Sequence, residues 1–178
     1  MLSQVKSFTI SLHLANKPGV LNRVGLVFSR RGWNIDSLSV SSDEDNRFSH
    51  CSIVATGDEN TLFKIVAQLN KIVDVIYARE HLVDSVVSRK LALIKVVCSP
   101  ERFHDLHNEL DGVLWKIVDE SITTKTVEVV GTREVIDGVR SRLGTVLGVL
   151  EMVRTGAVAL AKGSAPTGVP EQVSDVAS

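Results

Sequence analysis

The chain has 178 residues, 44% of them apolar and 23% charged, which suits one large domain or two small ones of about 75–90 residues. Twenty Lys plus Arg against 21 Asp plus Glu leave a net charge of -1, so there is no basic surplus to grip a phosphate backbone. Two cysteines, Cys51 and Cys98, in no C-x-x-C pair speak against a disulfide scaffold or a thiolate zinc centre, and 4% aromatic residues are too few for stacking platforms.

Residues 5–14 alternate, with Phe8, Ile10, Leu12 and Leu14 on one parity and Ser7, Thr9, Ser11 and His13 on the other. That is a strand with one buried face. Asn16-Lys17-Pro18-Gly19 reads as a turn and helix start, with Asn able to cap and Pro tolerated in a first turn. A helix is expected to follow to about Arg31, striped by Val20, Val24, Val27 and Phe28, and Gly32 suits a left-handed C-terminal cap. Residues 34–41 read as a strand with Ile35, Leu38 and Val40 as its apolar members. Asp43-Glu44-Asp45-Asn46 reads as a hairpin turn, and Phe48–Ala55 as the returning strand. A second helix starts at Gly57-Asp58-Glu59-Asn60 and carries Leu62, Ile65, Val66 and Leu69. A strand at Val73–Ala78 completes the order β-α-β-β-α-β, the ferredoxin-like pattern.

Residues 79–89 are polar and read as a connector. The order then repeats without sequence identity. It comprises a strand at Leu91–Cys98, a helix from Pro100 with Phe103, Leu106 and Leu110, strands at Val113–Val118 and Thr124–Val130, a helix at 132–144 and a strand at Val146–Val153. The expected fold class is α+β with two ferredoxin-like βαββαβ domains, at 1–80 and 90–162. A linker at 81–89 joins them, and a disordered tail rich in Gly, Ser, Pro and Ala is expected at 163–178.

The strongest local feature for chemistry is the strand-to-helix corner at Leu14 to Leu21. The first N–H groups of a helix have no internal partner and form a ready anion site. Gly19 lets a ligand approach the main chain, and Asn16 offers a donor and an acceptor there. The plainer reading is a well-capped turn. His104 and His107 stand at i, i+3, yet His107 falls on the apolar stripe, and no metal site is expected. His50 and Cys51 point to opposite faces of a strand, so packing is expected of both. Neither a phosphate-binding glycine loop nor a nucleophile elbow occurs. The third strand, Phe48-Ser49-His50-Cys51-Ser52-Ile53, lacks the basic and aromatic run of an RNA-recognition motif. Apolar runs such as Leu91-Ala92-Leu93-Ile94 fall short of the ~18–20 residues of a membrane span, and the first residues lack the apolar stretch of a signal peptide. A cytoplasmic setting, with no nucleic acid or membrane partner, is therefore expected.

Two runs carry a resemblance. Asn16-Lys17-Pro18-Gly19-Val20-Leu21-Asn22-Arg23-Val24 and Phe28-Ser29-Arg30-Arg31-Gly32-Trp33-Asn34-Ile35-Asp36-Ser37-Leu38 resemble the N-terminal ACT domain of the acetohydroxyacid synthase (acetolactate synthase) small regulatory subunits. Gln68-Leu69-Asn70-Lys71, Val73-Asp74-Val75, Arg89 through Val96 and Arg154-Thr155-Gly156-Ala157-Val158 extend it from about residue 5 to 163. The resemblance implies a non-catalytic homodimer, paired through its ACT domains, that activates a large catalytic subunit and confers feedback inhibition, typically by valine, in branched-chain amino acid synthesis. It implies an effector site of Asn16, Gly19, Val20 and Leu21 from one subunit with Asn34 and Ile35 from the other. No cofactor is implied for this chain; thiamine diphosphate, magnesium and FAD are expected in the catalytic partner. Ala15 stands where an acidic residue is common, and His50-Cys51-Ser52 where Arg-Met-Thr or similar is common. A free-standing ACT-domain sensor serving another partner is the alternative, since fold alone does not fix function.

Overall fold

The computed structural model describes residues 6–81, 85–163 and 167. The expected tail, apart from Gly163 and Thr167, and residues 82–84 of the expected linker lie outside the described residues. The chain forms two compact units. One runs through Val87 and takes in the chain from Gly156; the other is Ser88–Thr155.

The first unit is built from β1 (Lys6–Ala15), α1 (Val20–Ser29), β2 (Ile35–Ser42), β3 (Phe48–Gly57), α2 (Glu59–Leu69) and β4 (Val75–His81). The sheet order is β2-β3-β1-β4, with every neighbouring pair antiparallel. The alternation in β1 does what its pattern requires. Phe8, Ile10, Leu12 and Leu14 are buried and meet Val20, Val24 and Phe28 of α1 and Leu62, Ile65 and Leu69 of α2. Each such side chain contributes about 1.5–3 kcal/mol by leaving water.

The end of α1 and the start of α2 are set by nearby residues. Gly32 adopts φ +68°, and the Trp33 N–H reaches back to the Phe28 carbonyl at 3.0 Å, the Schellman arrangement. This ends α1 at Ser29, two residues before the expected Arg31. Asp58 caps α2, its carboxylate accepting from the Thr61 N–H at 2.8 Å and the Thr61 hydroxyl at 2.8 Å.

The second unit contains most of β5 (Val86–Val97), a 3-10 turn (Pro100–Arg102), α3 (Phe103–Glu109), β6 (Leu114–Glu120), β7 (Thr124–Gly131), α4 (Arg133–Val146) and β8 (Val149–Arg154). Its strands follow the order β6-β7-β5-β8, again antiparallel. Ile94, Val96, Leu106, Leu110, Val127, Val129, Ile136 and Leu143 are fully buried in its core. Thr132 caps α4 through the Val135 N–H at 3.4 Å.

Three expectations are corrected. The polar residues 79–81 and 86–89 are not connector: Arg79 and Glu80 belong to β4, and Val86–Arg89 open β5. β4 is an edge strand with Arg79 and Glu80 exposed, so its sequence loses the apolar alternation while its backbone keeps the ladder to Ser11 and Ile10. The last strand of the second unit begins at Val149 rather than Val146, because α4 runs on to Val146 and Gly148 turns the chain at φ +88°. An unforeseen short strand, β9 (Val158–Ala161), pairs with β5, and the Lys162 N–H donates to the Ser85 carbonyl at 2.9 Å.

Candidate functional site

The corner after β1 is formed by three residues without regular structure and one glycine. The Asn16 N–H donates to the Arg47 carbonyl at 2.9 Å, and its Nδ2 donates to the Asn46 carbonyl at 3.0 Å. A carbonyl can only accept, so the amide NH2 faces the turn and the Asn16 Oδ1 is left outward as an acceptor. The turn that receives it, Asp43 to Arg47, is closed by the Asn46 N–H on the Asp43 carbonyl at 3.0 Å and uses a left-handed Asn46 at φ +56°.

Gly19 is the cap residue of α1, at φ +83° and ψ -7°, with no side chain capping the helix. The Val20 N–H is turned onto the Lys17 carbonyl at 3.3 Å, and the first helical bond runs from the Arg23 N–H to the Gly19 carbonyl at 3.1 Å. Among the described residues the N–H groups of Gly19, Leu21 and Asn22 have no acceptor. Open amides at a helix start favour an anion. No atom lies within 4 Å of the position a Gly19 Cβ would take, and residues 16–19 are all exposed, so the corner is not plugged by protein.

Of the four corner residues expected here, Asn16, Gly19 and Leu21 lie together as accessible groups. Val20 is buried, 1% exposed, and can contribute only main chain. Two neighbours escaped the sequence reading. Asp74 sits beside the corner, its carbonyl holding the Ala15 N–H at 2.8 Å and its carboxylate paired with Arg23 and, at 3.6 Å, with Lys17. Asn46 reaches Asn16 only through the fold, so no local pattern could have shown it.

Asn34 and Ile35 lie elsewhere. Ile35 faces Ala55, which faces Phe8, whereas Ser42 faces Ser49 and Ala15 faces Phe48. The two halves of the expected site are therefore at opposite ends of the sheet, and a single chain does not bring them together. Asn34 Nδ2 donates to Asp36 Oδ1 at 3.0 Å, and Thr56 Oγ1 donates to Asp36 Oδ2 at 2.5 Å. Asn34 thus repeats the state of Asn16, with its NH2 tied down and its oxygen outward. Ile35 is half-buried against the core.

The other candidates separate cleanly. Cys51 and Cys98 are free, buried thiols, and burial pushes Cys51 up to about 12, which rules it out as a thiolate nucleophile at neutral pH. His107 is exposed rather than on the buried stripe, its ring edge-on to Phe103 and Trp115 at centroid distances of 5.8 and 5.0 Å. His50 is also exposed and pairs with Asp43, Nε2 to Oδ1 3.1 Å, instead of packing inside. Trp33 packs against the core with the Arg31 guanidinium 5.4 Å from its ring centre.

Comparison with known proteins gives the corner its setting. Residues 10–77 match the family model described as AHAS small subunit-like ACT domain, and residues 89–163 the model described as small subunit of acetolactate synthase. The acetolactate synthase small subunit of Mycolicibacterium smegmatis is 36% identical over 169 residues, which is 95% of this chain and 98% of that protein. The chain belongs to the acetolactate synthase small-subunit family. The isozyme 3 small subunit of Salmonella typhimurium is 34% identical, covering 86% of this chain and 94% of its own. The crystal structure of the acetolactate synthase small subunit from Thermotoga maritima superposes with a TM-score of 0.80 at 31% identity, over 90% of this chain and 99% of that one. The whole candidate site lies within the ACT-domain match of this small-subunit family. No helix among the described residues is long and apolar enough to cross a membrane.

Proposed function

We propose that this chain is the non-catalytic regulatory subunit of a cytoplasmic acetolactate synthase, binding a branched-chain amino acid where the ACT domains of two copies meet. The observation that carries the reading is the pair of matching half-sites. Open amides and an outward asparagine oxygen stand at one end of the sheet, and a second outward asparagine oxygen at the other. An amino acid has complementary needs. Its carboxylate suits the N–H groups of Gly19 and Leu21, with Asn22 beside them; its ammonium suits the Asn16 and Asn34 oxygens. Charge-assisted bonds of this kind contribute about 1.5–3 kcal/mol each before the costs of binding. Leu21, exposed on α1, and Ile35 offer apolar contact to a branched side chain. One methylene changes affinity by only about 1–3 kcal/mol, so valine, leucine and isoleucine are separated modestly and valine is the first effector to test.

Inhibition through such a site requires the effector to bind two states of the complex unequally. The docking of the two ACT domains is the element it biases, and with it the engagement of the large catalytic subunit. Thiamine diphosphate, magnesium and FAD belong to that partner in this reading.

Reconstitution of the full chain with the large subunit, assayed with and without valine, is the test. The chain should raise acetolactate formation, valine should lower it, and the purified chain alone should form none from pyruvate. Asn16→Ala and Gly19→Asp should keep activation and lose valine inhibition; full valine sensitivity in both would place the site elsewhere. If the chain binds valine yet leaves the large subunit unchanged, it is a sensor serving a different partner.

A further inference from the structure

On the face of the first sheet turned away from α1 and α2, His13 of β1 stands directly across from His50 of β3. Their rings are 4.7 Å apart between centroids. Asp43, the first residue of the turn between β2 and β3, puts its Oδ1 3.1 Å from His50 Nε2. One ligand atom from each of His13, Asp43 and His50 lies within 4.8 Å of the others. His13 is held in place by stacking, on Phe48 at 5.0 Å and on Tyr77 at 5.5 Å between centroids. Its Nδ1 is nevertheless buried with no hydrogen-bond partner among the described residues. Buried polar atoms are normally satisfied, and an orphaned imidazole nitrogen among potential ligands is the kind of exception that a bound ion accounts for.

We propose that His13, Asp43 and His50 form a binding site for one divalent cation of the borderline class, of which Zn2+ is the commonest. The donor set supports this: two imidazoles and one carboxylate suit Zn2+ and its neighbours, whereas Mg2+ and Ca2+ take oxygen ligands. The geometry supports it as well. Bonds of about 2.0–2.1 Å in a tetrahedral site separate ligand atoms by about 3.3 Å. The His50–Asp43 pair is already at 3.1 Å, and His50, with 62% of its side chain exposed, is free to turn toward the stacked His13. That exposure also opens a fourth position to water, as in sites with three protein ligands. The nearest cation of the turn, Arg47, is already paired with Asp45 at 2.5 Å. His13 and His50 belong to different strands and Asp43 to a turn, so neither spacing nor motif in the sequence could show the cluster.

Untagged, chelator-washed full-length chain should take up one Zn2+ per chain in competition with a colorimetric chelator, and Zn2+ should raise its melting temperature. His50→Gln, at an exposed position, and Asp43→Asn, at a half-buried one, should each weaken Zn2+ by at least the roughly tenfold loss seen for outer-shell partners of metal sites. Co2+ should give the visible absorption of a four- or five-coordinate site in the native chain and lose it in both variants. His104→Ala/His107→Ala should bind Zn2+ as the native chain does. Absence of stoichiometric Zn2+, or uptake unchanged in His50→Gln and Asp43→Asn, overturns the proposal. The measurement uses neither valine nor the large subunit, so its outcome is independent of the regulatory reading.

Discussion

Gly156 shows how a single residue carries a constraint that its neighbours in sequence do not reveal. A Cβ on it would stand 2.5 Å from the Leu38 carbonyl oxygen and 2.7 Å from its carbon, both backbone atoms that cannot swing aside. The next residue fixes the approach, the Ala157 N–H donating to Ser37 Oγ at 3.1 Å. Gly156→Ala should therefore cost about 1–3 kcal/mol, as overpacking does, read as a lower urea midpoint at unchanged slope. An unchanged midpoint would mean that the segment moves off β2 at no cost. His81 carries a different kind of strain. It is 8% exposed with a buried Nε2 that has no partner, and burial, then the Arg79 charge, depress its pKa below the usual 6.5. The unfolded chain then binds the proton more readily than the folded one, so this group subtracts stability as pH falls from 6.5 toward its folded value and contributes no slope above 6.5. Melting curves from pH 7.5 down to 5.5 should show less loss in His81→Leu than in the native chain; parallel curves would dismiss the account. Residue identity alone made Gly19 and Gly32 legible, because one opens and the other closes a recognisable helix pattern. Gly156 and His81 were not, since each answers to a strand far away in sequence.

At the scale of elements, what the sequence made plain was whatever depends on period. The stripes of α1 and α2 and the alternation of β1 predict the buried residues well, because one face of each meets a single core. The reading faltered where the ladder, rather than the core, decides. Ile35 and Leu38 are three apart, which no regular strand allows on one face. β2 resolves this by a register shift between Ile35 and Ser37 that takes up Asp36 as an extra residue. The end of β4 and the start of β5 were hidden by polar side chains on backbone that still pairs. Asn70 supplies what β4 lacks on its outer side. Its Oδ1 accepts from the Ala78 N–H at 2.8 Å and its Nδ2 donates to the Ala78 carbonyl at 3.0 Å, imitating a further strand from the end of α2. Asn70→Ala would leave both groups of a buried residue unsatisfied, at about 1–3 kcal/mol. Amide exchange at Ala78 should accelerate in that variant by more than at the centre of β1; equal protection would show that water replaces the side chain without cost.

For the whole molecule, the decisive fact is that a single copy separates Asn34 from the Asn16 corner. β2 is an edge strand, and Leu38 and Val40 on it are 44% and 38% exposed, as Leu21 of α1 is at 42%. Exposed apolar side chains on an unpaired edge are a liability that a partner strand removes. A two-fold axis beside β2 would run the partner's β2 antiparallel to it. Asn34, before its first residue, would then lie next to the partner's Ser42 end, which is the end where the Asp43–Arg47 turn holds Asn16. In the reading proposed above, the same operation would build both copies of the site at once, so dimerisation and effector binding would stand or fall together. Val40→Glu places a carboxylate on that edge within two residues of the axis and, in this pairing, across from the partner's Asp36, where like charges and burial both oppose association. In the reading proposed above, the variant should sediment as a monomer at concentrations where the native chain is a dimer. Its calorimetric valine response should vanish, while circular dichroism keeps the native helix content. A variant that remains dimeric and still binds valine would move the interface away from β2, and with it the pairing of Asn34 with the neighbouring corner.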